Sequence, residues 1–195
     1  CNFLGWADGA AYADWAGLRP MTELEFEKAC RGPANPVALE YAWGTLRVPI
    51  TNFFGTDGSG TETADPANAN CNHDNNLIGP ARCGIFATAN SGRTAAGATY
   101  WGIMEMSGNL GERVVTVGND TGRLFAGAVG EGVLNSSGNA NADFWPDTTA
   151  VGSGSRGGQW PAPQSSLRIS DRGGAAASAD NRRSYFGWRA VRQAP

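Results

Sequence analysis

The stretch "TELEFEKACRG", residues 22–32, decides how the chain begins to fold. Thr22 stands where a helix N-cap belongs, and Glu25, three residues on, completes a capping box with it. The helix then runs through Glu27 and Lys28 and stops at Gly32, with Pro33 behind it. Cys30 falls on its inner side and reads as a small buried hydrophobe. Upstream, "GWADGAAYADWAG" puts Trp6, Ala10, Ala11 and Trp15 on one helical face, with Gly17 placed to end the helix. Two short helices therefore open the chain.

Beyond them the helical period disappears. "YAWG" (residues 41–44) reads as a short buried strand and turn. Residues 45–99 are rich in Asn, Gly, Thr and Ala and read as long irregular loop, with "IFAT" (85–88) a brief strand inside it. "DGSGTE" (57–62) lacks the ligand alternation of a calcium loop and reads as a solvated turn. "YWGIMEMSGNLGERVVTV" (100–117) reads as strand, tight turn, strand. A second loop covers 118–154, and strand signals return in "SRGGQW", "SLRISDR" and "FGWRAVR". Alternation in "LRISDR" sends Leu167, Ile169 and Asp171 one way and Arg168, Ser170 and Arg172 the other. Two helices followed by short strands and much loop make an α+β arrangement.

Composition narrows the function. With 195 residues the chain is long enough for one domain with a real core, and its 28 glycines are about twice the usual share. No apolar run reaches the length of a membrane span. The net charge of −3 argues against a general nucleic-acid binder. Charge is uneven, however: seven arginines against Asp171 and Asp180 leave residues 156–195 at +5. Lys28 is the single lysine among 15 basic residues, and arginine is chosen where planar, multi-donor contacts are needed. Those contacts are either internal staples or contacts to a polar or anionic ligand. Arg156, Arg168, Arg172 and Arg189 read as braces of the scaffold.

Cys1, Cys30, Cys71 and Cys83 form no CxxC pair. Cys71 and Cys83 flank a loop; a bridge between them would suit an extracytoplasmic setting, and the spacing leaves the pairing open. His73, the single histidine, reads as a solvated loop residue and cannot by itself build a multi-histidine metal site.

In order along the chain, "AAYADWAGLRPMTELEFEKACRG", "YAWG", "YWGIMEMSGNLGER", "SRGGQW", "LRISDR" and "FGWRAVR" resemble the blocks of the formylglycine-generating enzyme family, the sulfatase-modifying-factor domain. The resemblance covers nearly the whole chain. It implies a single domain over 1–195 with a C-type lectin fold of the formylglycine-generating-enzyme type, whose first strands would lie upstream of Cys1. Oxidase members of the family use two cysteines after "RGG" to hold copper. The matching positions fall near Ala162 and Leu167, and no cysteine follows Cys83. Sulfoxide-synthase relatives use a histidine cluster for iron, and His73 stands alone. The resemblance therefore implies neither copper nor iron and no catalysis. Carried over residue by residue, a structural calcium would take the side chains of Glu105 and Glu112 and the carbonyls of Gly108 and Leu110. Glu105 is one methylene longer than the family's usual Asp or Asn, and the alternative is that Glu112 pairs with an arginine.

The chain also resembles the variable proteins of diversity-generating retroelements, which display a diversified face between "RGG.W" and "GFR". That places a variable ligand-binding region in 156–195. Its candidates are Gln159, Trp160, Pro161, Ala162, Gln164 and Ser165, then Gly173, Asp180, Asn181, Arg183, Ser184, Tyr185 and Phe186. Proline keeps "QWPAPQSS" out of a central strand and at the surface. Aromatic rings beside Arg, Ser and Asn make a good paratope, with Tyr185 and Phe186 expected exposed and Trp188 packed inside. The expected partner is a protein or other macromolecular surface, met outside the cell, on the cell surface or on a virion. Two rival readings stand: an oxidase of the formylglycine-generating type, and a structural subunit of a surface assembly.

Overall fold

The computed structural model describes residues 1–49 and 51–192, with Phe53 and Phe54 described by their backbone alone. The fold is α+β. The helices are α1 (Trp6–Trp15), α2 (Glu23–Arg31) and a four-residue α3 (Asp120–Arg123). The strands are β1 (Arg19–Pro20), β2 (Phe53–Gly55), β3 (Thr63–Asp65), β4 (Gly111–Val115), β5 (Ser153–Arg156), β6 (Phe186–Gly187) and β7 (Ala190–Val191). They form small sheets, ordered β1-β7, β2-β3 and β5-β4-β6. Two compact units result: the first takes 1–26, 112–156 and 172–195, the second 27–111 and 157–171.

In the first unit, α1 buries Trp6, Ala10 and Ala13 against Val115, Trp145 and Ala150, with Trp188 packed on the same cluster. Burying these side chains contributes most of what holds the short elements together. The buried Asp14 then fixes a loop that has no regular ladder of its own. Its two carboxylate oxygens accept the Glu131 and Asn141 N–H groups at 3.0 and 2.9 Å. Trp15 does not join the core: it is 63% exposed and packs beside the equally exposed Tyr12. The inner face of α1 is the Trp6, Ala10 and Ala13 stripe, which places Trp15 on the solvent side. β4 runs antiparallel to β5 with Glu112 opposite Arg156 and Val115 opposite Ser153.

The capping box forms as the sequence requires. Thr22 N–H donates to Glu25 at 2.9 Å and Glu25 N–H donates to the Thr22 hydroxyl at 3.1 Å. Arg19 adds a two-pronged contact to the same carboxylate. Cys30 is buried as expected.

The second unit holds most of the departures from the sequence reading. "YAWG" is a turn rather than a strand, closed by Gly44 N–H to Tyr41 carbonyl at 2.8 Å, with Tyr41 stacked on Trp43. "IFAT" is also a turn, and no strand precedes the "SGN" turn: the ladder begins only at Gly111. In "YAWG" and "IFAT" the apolar residues Tyr41, Ala42, Trp43, Ile85 and Phe86 marked burial, not extension, which periodicity cannot distinguish over four residues, while Tyr100 and Trp101 are exposed. The β2-β3 hairpin lies inside the stretch read as irregular loop, with Phe53 opposite Asp65. "LRISDR" is no strand either. A 3-10 turn over Gln164–Leu167 leads into a bend, yet Leu167 and Ile169 are both buried. The alternation reported sidedness correctly, while Ile169 N–H finds the Glu40 carbonyl instead of a neighbouring strand.

Candidate functional site

The candidate ligand-binding residues divide between the two units. Gln159, Trp160, Pro161, Ala162, Gln164 and Ser165 belong to the second. There the paired glycines of "RGG" set the course of the chain. Gly158 has φ +66, and a side-chain carbon on it would meet Leu167 at 2.7 Å, so only glycine lets the backbone pass. Trp160 N–H then donates to the Asn109 carbonyl at 2.8 Å. Asp74 and Asn75 N–H groups donate to the Ala162 and Trp160 carbonyls, each at 3.0 Å. Asp74 and Asn75 both carry positive φ, a conformation these short polar residues tolerate. Segment 159–162 is therefore held by its backbone, half-buried, while Gln164 and Ser165 are exposed.

The loop beneath it overturns one reading. His73 is 1% exposed, not solvated. Its Nδ1 meets Asp74 at 2.9 Å, and its Nε2 is buried without a hydrogen-bond partner. The backbone bonds from Asp74 and Asn75 tuck this stretch under residues 160–162. Asx-rich "NCNHDNN" was the available signal for such a turn, since Asn and Asp support left-handed backbone.

Gly173, Asp180, Asn181, Arg183, Ser184, Tyr185 and Phe186 belong to the first unit. Arg113, which the sequence reading did not assign, organises them. It is buried, donates to the Ala179 and Asn181 carbonyls, and lies 4.1 Å from the Phe186 ring centroid. Burial lowers its pKa from the ordinary arginine value, against the opposing pull of Asp180 and Tyr185. Asp180 accepts Ala7 N–H at 2.7 Å, so it caps α1. Arg182 pairs with Asp8, and its guanidinium holds the Asp8 carboxyl below the usual range. Tyr185 and Phe186 are half-buried rather than exposed, packed edge to face at 4.9 Å. The cation over Phe186 explains why that ring turns inward. Gly173, Asp180, Asn181 and Arg183 are exposed, and Ser184 is half-buried.

The four calcium candidates are also divided, with Glu105, Gly108 and Leu110 in the second unit and Glu112 in the first. Glu105 accepts Gly84 N–H through both oxygens, at 3.0 and 3.1 Å. Glu112 accepts the Arg189 guanidinium at 2.5 Å. Both carboxylates thus serve protein donors, and a hard cation would have to displace a guanidinium from Glu112. Among the described residues no group of three or more His, Cys, Asp or Glu is arranged to hold a metal. This donor set does not fit the implied calcium as it stands.

Of the braces, Arg156 and Arg172 both reach Glu23, at 2.9 and 2.8 Å, and Arg189 reaches Glu112. Arg168 is half-buried, and its Nε has no hydrogen-bond partner. No disulfide joins Cys71 to Cys83. The Cys71 thiol is buried and donates to the Ser107 carbonyl at 2.9 Å, while Cys83 is exposed. Burial pushes the Cys71 thiol up, and the charges of Glu105 and Asp74 push it the same way. It is therefore a protonated donor, the wrong form for a nucleophile or a copper ligand. Residues 159–188 contain no thiol and no imidazole, and offer amide, hydroxyl, guanidinium and aromatic groups instead.

No helix among the described residues is long and apolar enough to cross a membrane. The sequence model of the sulfatase-modifying factor enzyme 1-like domain matches residues 3–194. No curated protein matches the chain.

Proposed function

The chain belongs to the sulfatase-modifying factor enzyme 1-like domain family, and on that premise we propose that it is a non-catalytic binding module. It displays residues 159–188 on a C-type-lectin-like scaffold, in the manner of the variable proteins of diversity-generating retroelements. The partner is a protein or other macromolecular surface, and the setting is extracellular, on a cell or on a virion. One observation carries the reading: at several positions of this segment the backbone is held while the side chain stays exposed. Carbonyls of Trp160, Ala162, Ala179 and Asn181 are gripped by conformationally fixed donors. The side chains of Gln164, Ser165 and Arg183 are exposed, whereas Asn181 Oδ1 accepts from Arg113 at 3.3 Å. Such a segment can change its exposed side chains without losing its course, which is what a recognition surface needs.

Family membership alone does not decide between binding and catalysis. The test is to offer purified protein Cu(I) and a cysteine-containing peptide and to assay for aldehyde. The expected result is no aldehyde and no stoichiometric copper. Turnover would establish the oxidase reading in its place. Sequencing the neighbouring DNA supplies the positive arm: a reverse transcriptase gene beside an imperfect copy of the stretch coding for 159–188 is expected.

A further inference from the structure

We propose that the second unit contains a separate small-molecule site, selective for a carboxylate on a compact apolar body. The site is an open surface hollow of about 360 Å³, lined by Thr88, Ser91, Arg93, Ala98, Tyr100 and Met104 among others. None of its lining residues lies in 159–188, so it is independent of the recognition segment. Its volume falls at the lower end of the range for ligand cavities, which limits the occupant to about the size of one ring.

Charge selects the ligand class. Among the residues that line the hollow, Arg93 carries the only charge. Its guanidinium is held in place: Nη2 donates to the Cys30 and Ala42 carbonyls at 3.2 and 2.8 Å, and Nε donates to the Ala98 carbonyl at 3.4 Å. The ring of Tyr100 lies 5.8 Å from its carbon. Tyr100 N–H donates to the Cys30 carbonyl, and the ring of this 45% exposed residue rests on Gly32, where a side-chain carbon would stand 2.3 Å from it. Among the described residues Nη1 has no acceptor, which leaves its two N–H groups for an incoming oxygen. A carboxylate satisfies them with charge-assisted bonds, while Ala98, Met104 and the Tyr100 ring receive the apolar body. Preorganisation removes the ordering cost that a mobile surface arginine would bring.

The experiment titrates the isotopically labelled full chain with benzoate and, in parallel, with its neutral isostere benzamide, and follows amide signals by NMR. Benzoate is expected to move the signals of Ala98, Thr99 and Tyr100, and benzamide to bind at least about tenfold more weakly. Equal binding of the two, or no response to benzoate, overturns the proposal. N-acetylphenylalanine is the third probe. Tighter binding than benzoate assigns the site to a peptide C-terminus, and weaker binding assigns it to a free acid. Arg93→Gln should abolish the preference for benzoate. Because Arg93 also holds the end of α2, Thr88→Trp serves as the second variant, filling the hollow from an exposed position without touching the guanidinium. Undiminished benzoate binding by Thr88→Trp would place the ligand elsewhere.

Discussion

Arg156 and Glu23 meet at 2.9 Å with both side chains shut off from solvent. The carboxylate is fully engaged: Thr116 hydroxyl, Val117 N–H and Arg172 converge on its other oxygen at 2.8–2.9 Å. Arg156 in turn lies 5.2 Å from the Phe26 ring centroid. Removing one partner of a buried pair leaves the other charge without compensation, which costs far more than the pair contributes. Glu23→Gln is expected to destabilise the protein by about 3–5 kcal/mol, measured by urea unfolding. A loss below about 1 kcal/mol would mean that water reaches this pair.

Gly9 sits inside α1, where alanine would ordinarily be better by about 1 kcal/mol. Here the sign reverses. A side-chain carbon on Gly9 would lie 2.2–2.3 Å from the Trp188 ring. Trp188 packs on the core cluster and pairs with Trp6 at 5.7 Å, so it cannot swing away cheaply. Gly9→Ala should lower stability by roughly 1–3 kcal/mol through overpacking. A raised melting temperature would show that Trp188 does not hold this position.

Acid should weaken the start of α2 in a defined window. Burial pushes the Glu25 carboxyl up, but the Arg19 guanidinium and the Thr22 N–H and hydroxyl outweigh it, and the group titrates below its ordinary 4.5. A carboxyl depressed in the folded state contributes stability above its unfolded value and loses it as pH falls through the folded one. Glu25→Gln keeps the capping geometry but not the charge. The stability gap between wild type and Glu25→Gln is expected to be full at pH 7 and to shrink as pH drops below about 4.5. Thr22→Ala should cost about 1 kcal/mol at pH 7 and less in acid, because the hydroxyl's bond to the Glu25 carboxylate is one of the contacts that depress it. Parallel pH profiles for wild type and Glu25→Gln would deny Glu25 this role.

What could be read in advance followed a simple division. The capping box of Thr22 and Glu25 is local chemistry, three residues across, and it formed as written. The inward sides of Leu167 and Ile169 were legible because burial leaves a residue pattern whatever the backbone does. The Glu23–Arg156–Arg172 cluster was not, because its members stand 133 and 149 positions apart and nothing local ties them. The role of Arg113 was hidden for the same reason: its acceptors are carbonyls, which leave no trace in side-chain identity. His73 looked solvated because polar neighbours surround it in sequence, while the backbone bonds from Asp74 and Asn75 that bury it depend on no particular partner residue.

Thiol chemistry separates the buried from the accessible cysteines. Cys1 and Cys83 are exposed, whereas Cys30 and Cys71 are buried. The raised Cys71 thiol is in addition tied to the Ser107 carbonyl. A thiol reagent at neutral pH should therefore label Cys1 and Cys83 in the native protein, and all four cysteines only after denaturation. Rapid native labelling of Cys71 would contradict its burial.

The holding of the backbone beneath exposed side chains at several positions of the recognition segment can be measured directly. Gln164, Ser165 and Arg183 are exposed, and replacing all three with alanine removes no core contact. Each change should stay within about 0.5 kcal/mol, so the triple variant should melt within a few degrees of wild type. Arg113→Met should behave differently. It keeps the bulk beside Phe186 but leaves the Ala179 and Asn181 carbonyls without their donor, at a cost of about 2–3 kcal/mol. If the triple variant falls as far as Arg113→Met, those three side chains hold the fold together and are not available for diversification. If Arg113→Met melts like wild type, the loop keeps its course without a brace, and a fixed platform for recognition is the wrong description of residues 179–186.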